Sequence, residues 1–377
     1  MGLPLEGLRV IDLTQDFAGP FCTMILSDLG AEVIKIEKPG TGDETRAWGP
    51  PFVNGISYYF LSLNLGKKSV VLDLKTREGQ RIIRKLVVDA DIFVESSRPG
   101  QMARFSLDYQ RLQRLNKALV YASISSFGQT GPYRDRLGYD LIALAMSGIM
   151  ASTGETGRPP IRMSVPVADI AAGHYASTAI LAALSRRLVT GAGDYIDLSL
   201  HDSIVSWLTY QASYYFATGK EPQRLGSAHP SIVPYQTFRC KDEDLAVAIG
   251  NDHQWTSFCQ AAGLERLLAD RRFSTNPSRV RNRQLLIPVL QRVFRRKNAK
   301  EWQRILVQAR VPATSVFRIQ DVARDPQVRS RRMIFRSDRD IPRLGSPMRF
   351  YKTKPKKTAS APQLGQHTRE ILAELGY

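Results

Sequence analysis

Short runs of β-branched and aliphatic residues alternate with amphipathic helical segments through the first third of the chain. Leu8–Leu13 (LRVIDL), Glu32–Glu37 (EVIKIE), Ser69–Leu74 (SVVLDL), Asp91–Glu95 (DIFVE) and Leu119–Ser125 (LVYASIS) have strand length and composition. Gly19-Pro20 opens a helical pattern, FCTMILSDLGA, between the first two, and Thr76–Ala90 reads as an amphipathic helix. Strand, Gly-Pro turn, helix, strand is a βαβ unit. Its repetition predicts an α/β fold with a doubly wound, largely parallel, Rossmann-like sheet. Ligands of such sheets bind beyond the carboxyl ends of the strands. Lys38, Arg46, Lys75, Arg98 and Arg104 lie near those ends and are expected to face a common crevice. The start of the first helix offers unpaired N–H groups to an anion. No G-x-G-x-x-G follows the strand, so the nicotinamide fingerprint is absent.

Further on, Tyr139–Ser152 has a helical pattern and runs into a Gly/Pro-rich loop. The loop delivers Asp169 to the start of a second, Ala-rich helix, Asp169–Thr190. Apolar or small residues flank Asp169: Val165, Pro166, Val167 and Ala168 before it, Ile170, Ala171, Ala172 and Gly173 after it. A carboxylate in such company is a helix N-cap or a reactive group held out of bulk water. Tyr195–Ser199 is a further strand and His201–Thr218 a further helix. The composition then turns polar, and the strand-like VPYQTF and LAVAIG precede helices from Gln254, Leu285 and Trp302. The expected organisation is a large domain over 1–224, a smaller α+β domain over 225–322, and a tail over 323–377 that returns to the large domain, with a last helix from Thr368 to Leu375.

Composition narrows the function classes. The 377 residues are 43% hydrophobic, no apolar run approaches membrane-spanning length, and the opening MGLPLEGLRVIDL has no targeting pattern. Cys22, Cys240 and Cys259 are widely separated, which fits neither a disulfide framework nor a zinc site and suits a reducing compartment, the cytoplasm. Five scattered histidines give no paired ligand spacing, so no metal is expected. The formal charge of +18 invites polyanion partners, with a basic cluster from Arg329 to Lys357, yet no nucleic-acid motif surrounds it. A small polyphosphate cofactor is the sharper reading of that charge. Asp140 and Glu155 are alternative acids near Asp169, and His174 has no catalytic pattern around it. The absence of G-x-S-x-G excludes a serine hydrolase elbow.

Taken together, the segments carry a resemblance. DLTQDFAGPFCTMILSDLGAEVIKIEKPGTGDETRAWGPPF, NLGKKSVVLDLKTREG, ADIFVESSRPG, FGQTGPY, GYDLIALAMSGIMASTG, VPVADIAAGHYAS, LVTGAGDYIDLSLHDS, GNDHQW and LGQHTREIL follow in order. They strongly resemble the class III CoA-transferases from Leu5 to Leu375. Within that family, GSAHPSIVPYQTF with WGPPFVNG is most similar to the succinyl-CoA:glutarate branch.

The resemblance implies covalent catalysis by a single carboxylate, Asp169 in VADIAAG. It would pass an acyl group and then CoA through an aspartyl anhydride and an aspartyl-CoA thioester. Coenzyme A thioester is implied as substrate, with no permanently bound cofactor. CoA would lie along the strand-end crevice, over Ala18, Lys38, Leu72, Lys75, Ser96, Ser97, Arg104 and Tyr139. Ser96-Ser97 stands where many members carry Asn followed by an aromatic ring, and Phe17 stands where formyl-CoA transferase has Gln, which argues against oxalate and formate. Asp140 and Gly250, the latter with Asn251 as part of a mobile cover, would line the acid site. Arg46, with Arg162 as second choice, would bind a distal carboxylate. Related racemases have His where GYD has Tyr139, which disfavours racemisation. The alternatives are an acyl-CoA racemase or a non-catalytic polyanion binder. An interlocked homodimer is also implied.

Overall fold

The computed structural model describes residues 2–336, 342–353 and 360–377. Part of the basic cluster from Arg329 to Lys357, and of the tail expected over 323–377, falls outside those residues. The chain divides into two compact units: Met1–Met150, Arg162–Gly219 and Arg329–Tyr377 form one, and Ala151–Ile161 with Lys220–Val328 form the other.

The first unit is built on six parallel strands: β1 (Arg9–Leu13), β2 (Glu32–Glu37), β3 (Lys68–Val71), β4 (Ile92–Glu95), β5 (Val120–Ser125) and β6 (Tyr195–Ser199). Their order in the sheet is β3-β2-β1-β4-β5-β6. That is a doubly wound α/β sheet, and its order reverses between β1 and β4, where such folds hold their ligands. Alternation along each strand sends neighbours to opposite faces. Val10, Val33, Ile92 and Val120 join one core, whereas Ile11, Ile34, Phe93 and Tyr121 join the other. The first core is covered by α1 (Ala18–Asp28), α3 (Asp140–Met146) and α4 (Val167–Thr190), the second by α2 (Arg77–Val88) and the C-terminal helix Thr368–Glu374.

Local chemistry trims several expected elements. Strand β3 is Lys68–Val71, shorter than the expected Ser69–Leu74 at its carboxyl end, and its last ladder bond runs from Leu72 N to Glu37 O (3.0 Å). The helix expected over Tyr139–Ser152 breaks at Gly148, whose φ of 86° is left-handed, leaving α3 and a short turn Ile149–Ser152. The expected helix His201–Thr218 is Leu200–Val205, a tight turn, and α5 (Thr209–Thr218). Helix α4 is long and apolar enough by length and composition to cross a membrane, which the sequence reading did not anticipate. Its Ala168, Ala171, Ala172, Ala176 and Ile180 are nevertheless buried in the unit's core.

Helices α1 and α4 pack in close contact, and Gly173 is why they can. A Cβ there would stand 2.8 Å from the Ala18 carbonyl oxygen and 2.8 Å from Phe21 Cδ1. Backbone cannot yield as a flexible side chain can. Gly173→Ala is therefore expected to lower stability by about 1–3 kcal/mol, the cost of overpacking. It should also shift the start of α1, so a urea midpoint and kcat measured together should fall together.

A buried ionic network pins the loops above the sheet switch. Asp12 and Lys67, both fully buried, pair at 3.1 Å. Lys67 Nζ also donates to Pro20 O (2.9 Å), Thr23 Oγ1 (2.8 Å) and Asn64 Oδ1 (3.0 Å). Lys35 pairs with Asp43 at 2.8 Å and donates to Thr14 O at 2.8 Å. Although burial opposes ionisation, the charges of Lys67 and Lys35 hold the Asp12 carboxyl far below the usual carboxylate range, with help from Thr14 and Thr23.

The second unit has a three-stranded antiparallel sheet, with β7 (Tyr235–Arg239) and β9 (Ala313–Ser315) on either side of β8 (Asp244–Ala248). Helices α6 (Asp252–Ala262), α7 (Arg283–Phe294) and α8 (Ala299–Gln308) close its core around Trp255, Phe258, Phe294 and Trp302. The three cysteines are all unpaired and buried. Burial pushes Cys240 up to about 11 and Cys259 to about 12, and raises Cys22 further.

Candidate active site

Pro166 has no N–H and no capping side chain, yet α4 begins at the next residue with its first-turn donors unpaired. Asp140, at the start of α3, supplies the cap from outside: its Oδ1 accepts from Ala168 N at 2.9 Å, and the Asp169 N–H also contributes to holding its charge. Asp169 is therefore not the N-cap of α4. It sits on the third residue of the helix with its carboxylate released from capping. Burial first, then the charges of Asp140 and Asp16, push that carboxyl up to about 8.

Asp16 lies in the β1–α1 turn with φ of 66°, a left-handed conformation for a residue that has a side chain. Its Oδ1 is shut off from solvent and has no hydrogen-bond partner. Burial, then Asp43 and Glu44, push its carboxyl up to about 6, against the pull of Lys35 and Lys38. Tyr59 is the fourth member of the cluster. Burial and then the charges of Asp169, Asp16 and Asp140 raise its hydroxyl, keeping it protonated as a donor. Its ring stands edge-on to Trp48 (4.9 Å) and Phe17 (5.9 Å). Phe17 meets Phe21 at 5.6 Å, and Phe21 meets His174 at 5.1 Å. The charges of all three carboxyl groups thus bear on Tyr59, one ring of this aromatic run.

Sequence reasoning assigned Asp169 and Asp140 but passed over Asp16, Tyr59 and Trp48. Tyr59 and Trp48 lie in the aromatic segment that follows β2, and nothing local marks them out. Asp is among the few side-chain residues that visit a left-handed turn, but nothing beside Asp16 in the sequence marks this one.

The remaining candidates are distributed as follows. Ala18 is the buried first residue of α1, which has no side-chain cap and no acidic residue in its first turn, so its donors face the switch point ready for an anion. Ser96 Oγ accepts from Gln15 N (2.9 Å), tying the β1 and β4 loops together, and Ser97 N donates to Glu95 Oε2 (2.7 Å). Glu95, pushed up to about 7 by burial, adjoins a cavity of about 410 Å³ that Arg98, Tyr109, Tyr121, Gln129 and Tyr195 help to line. Lys38 is half exposed and 3.7 Å from Glu44. Lys75 and Arg104 are exposed cations, and Leu72 is buried. Tyr139 is 60% exposed at the entrance to α3. Gly250 and Asn251 lie in the second unit, where Asn251 caps α6 through Gln254 N (2.9 Å) and Gly250 N donates to Gln254 Oε1 (2.8 Å).

Arg46 was the first choice for a distal carboxylate, and the structure gives it a different task. Its Nε and Nη2 donate to the two oxygens of Glu37, both at 2.7 Å, and the guanidinium lies 3.7 Å above the Phe60 ring. Nη1 and Nη2 each also donate to Pro362 O at 3.3 Å. Arg162 is 46% exposed, with Nη1 3.8 Å from Asp140 Oδ2. Its Nη2 donates to Ser164 O at 3.4 Å, and its guanidinium stays about half exposed beside the carboxyl cluster.

The model of CoA-transferase family III matches residues 5–368. Succinyl-CoA:glutarate CoA-transferase of Mus musculus is 42% identical over 376 residues, covering 99% of this chain and 86% of the relative. Succinate–glutarate CoA-transferase of Agrobacterium fabrum is 39% identical over 382 residues, covering 99% and 96%. Among solved structures, a CAIB/BAIF family protein from Brucella suis superposes with a TM-score of 0.90 at 41% identity, covering 100% of both chains.

Proposed function

The chain belongs to CoA-transferase family III, and on that premise we propose that it moves CoA from succinyl-CoA to glutarate or a similar dicarboxylate through covalent intermediates on Asp169. The observation that carries the reading is the state of Asp169: it is released from capping by Asp140, withdrawn from water, and set beside an aromatic wall.

An Asp169 oxygen attacks the thioester carbonyl, the C–S bond breaks, and CoA leaves as thiolate from a mixed anhydride. The thiolate then attacks the aspartyl carbonyl, expelling succinate and leaving an aspartyl-CoA thioester. The second acid attacks that thioester through its carboxylate, and CoA departs again. Finally the thiolate takes the new acyl group, and the Asp169 carboxylate is restored. A thioester is exchanged for a thioester, so no external energy source is needed. Water would destroy either anhydride, which is the use of the wall formed by Phe17, Trp48 and Tyr59. The donors at the start of α1, with Lys38, Lys75 and Arg104 near the strand ends, suit the phosphates and thioester of CoA.

Trapping tests this reading. Enzyme incubated with succinyl-CoA and quenched with hydroxylamine should carry a hydroxamate on Asp169, and Asp169→Ala should carry none. Lack of an adduct, combined with α-proton exchange in deuterated water, would identify a racemase instead.

Arg162 receives the distal carboxylate in this scheme. Arg162→Ala should raise KM for glutarate by roughly tenfold, the loss of one charge-assisted contact, while KM for a monocarboxylic acid stays unchanged. Equal effects on both acids would remove that assignment.

The protein also acts as a homodimer in this reading. Support comes from α5, which buries none of its residues and exposes Tyr210 (54%), Tyr214 (45%) and Phe216 (81%). Light scattering at twice the chain mass is the expected result. Three buried, unpaired thiols support a cytoplasmic setting.

A further inference from the structure

The edge strand of the large sheet, β3, is covered by residues from the C-terminal end of the chain. Ser69 N donates to His367 Nδ1 (3.1 Å), His367 N to Ser69 O (2.9 Å) and Val71 N to Thr368 Oγ1 (3.0 Å). Those bonds alone would protect an open edge. The residues just before them reach a different place. Ala361 is fully buried against Ile56, Phe60 and Leu61. Pro362 O accepts from both Nη1 and Nη2 of Arg46 (3.3 Å). Leu364 lies over Gly42, where an added Cβ would stand 2.8 Å from Leu364 Cδ1. Gly42 and Arg46 belong to the loop after β2, which also carries Lys38.

One carboxylate joins the C-terminal segment to that loop. Glu37, the last residue of β2, is 3% exposed. It accepts from Asp43 N (2.9 Å), from Arg46 Nε and Nη2 (both 2.7 Å) and from Ser69 Oγ (2.6 Å). Those donors fill the acceptor capacity of a carboxylate. Ser69 Oγ accepts in turn from Gly365 N (2.9 Å). Asp43, held by Glu37 through its N–H, pairs with Lys35 at 2.8 Å, and Lys35 donates to Thr14 O in the turn that leads into α1. A continuous line of polar contacts thus runs from Gly365 to the start of α1, all within one compact unit. Covering a sheet edge requires none of it.

We infer that the segment from Ala361 to Thr368 is a positioning element of the CoA site: docked on β3, it fixes the loops on which Lys38 and Lys75 stand. The inference rests on the transferase reading above, which sets those two lysines at the phosphates of CoA, and adds the part of the chain that holds them there. Pro362 and Leu364 bear on the loop of Lys38. Thr368 bears on Val71, where β3 ends and the turn toward Lys75 begins.

The test uses three full-length variants. Leu364→Ala loses the contact over Gly42, and Ser69→Ala loses the hydroxyl that joins Glu37 to Gly365. Thr368→Val, of nearly the same shape, loses the acceptor of Val71 N. Binding of free CoA is followed by calorimetry, and KM for succinyl-CoA and for glutarate is measured beside kcat. Each variant should raise the Kd for CoA and the KM for succinyl-CoA by roughly fivefold, the scale of one lost hydrogen bond. Since the segment touches neither the nucleophile nor the acid in this scheme, kcat and KM for glutarate should stay within about twofold of the parent.

Two results would overturn the proposal. One is a set of folded variants whose unfolding midpoints drop while the Kd for CoA stays within about twofold of the parent, short of a lost hydrogen bond; the segment would then be an edge cover alone. The other is kcat and both KM values worsening together, the mark of general loosening. Should Leu364→Ala or Ser69→Ala not fold, Thr368→Val, which gives up a single bond at the sheet edge, decides on the same readings. A parent enzyme that neither binds nor transfers CoA would refute the transferase reading. A parent that does both, with variants unmoved, refutes the role of the segment alone.

Discussion

Asp169→Ala is expected on the proposed mechanism to abolish CoA transfer, with kcat falling by roughly four orders of magnitude or more, as when a covalent nucleophile is removed. CoA affinity should be retained, because the cations and helix donors assigned to CoA lie on other elements. The pH dependence follows from the same residue. In the proposed mechanism only the Asp169 carboxylate attacks, and its carboxyl is pushed up to about 8 by burial and then by Asp140 and Asp16. In the free enzyme, kcat/KM for succinyl-CoA should therefore climb as pH rises toward about 8 and then level off. A profile already flat from pH 5 would contradict the strained carboxyl. Stability should move the other way. Between the ordinary carboxylate range and about 8, folded protein holds a proton that the unfolded chain has released, so stability declines as pH rises through that window. Asp169→Asn lacks this slope. Thermal midpoints of the two proteins should separate in favour of the variant as pH rises from 5 to about 8.

Lys67→Ala is the other substitution with a large expected effect. It leaves Asp12 ionised and fully buried without its pair, and it also strips donors from Pro20 O, Thr23 and Asn64. Breaking a buried pair from one side costs roughly 3–5 kcal/mol, a large part of a typical domain's stability. Replacing both partners with apolar residues of similar volume, Asp12→Leu with Lys67→Met, should recover most of that loss. Denaturant titration of the three proteins measures both changes. A single variant within about 1 kcal/mol of the parent would show the network to be incidental, since that is the scale of an exposed pair.

The sheet was legible in the sequence because its information is local. Each strand is a short apolar run ended by a turn, and the βαβ rhythm leaves few topologies. Breaks made by one residue were harder to read, as at Gly148 or the tight turn that splits the helix expected over His201–Thr218. Asp169 could be singled out but not interpreted from its own neighbourhood, where capping and reactivity look alike. The residue that separates the two readings is Asp140, 29 positions earlier, and it acts only once α3 and α4 are packed. Arg46 illustrates the converse. A basic residue in a Gly-rich loop near an anion site invites a binding role, but Glu37 and Phe60 engage it from elements that local sequence does not link to it. Asp16 and Tyr59 were missed for the same reason, since their significance lies in which carboxyl groups surround them.

The burial of all three cysteines bears on the identity of thiols during turnover. Cys22, Cys240 and Cys259 are closed to solvent with their thiols held protonated, so they cannot compete for an activated acyl group. In the proposed mechanism, an acyl group that leaves Asp169 passes only to CoA, to an acid or to water, and is not stranded as an S-acyl cysteine. The native enzyme should also ignore thiol-reactive chromophores. Such a reagent added during turnover would then count free CoA alone, and a cysteine introduced on the surface would carry a label with no native cysteine to remove.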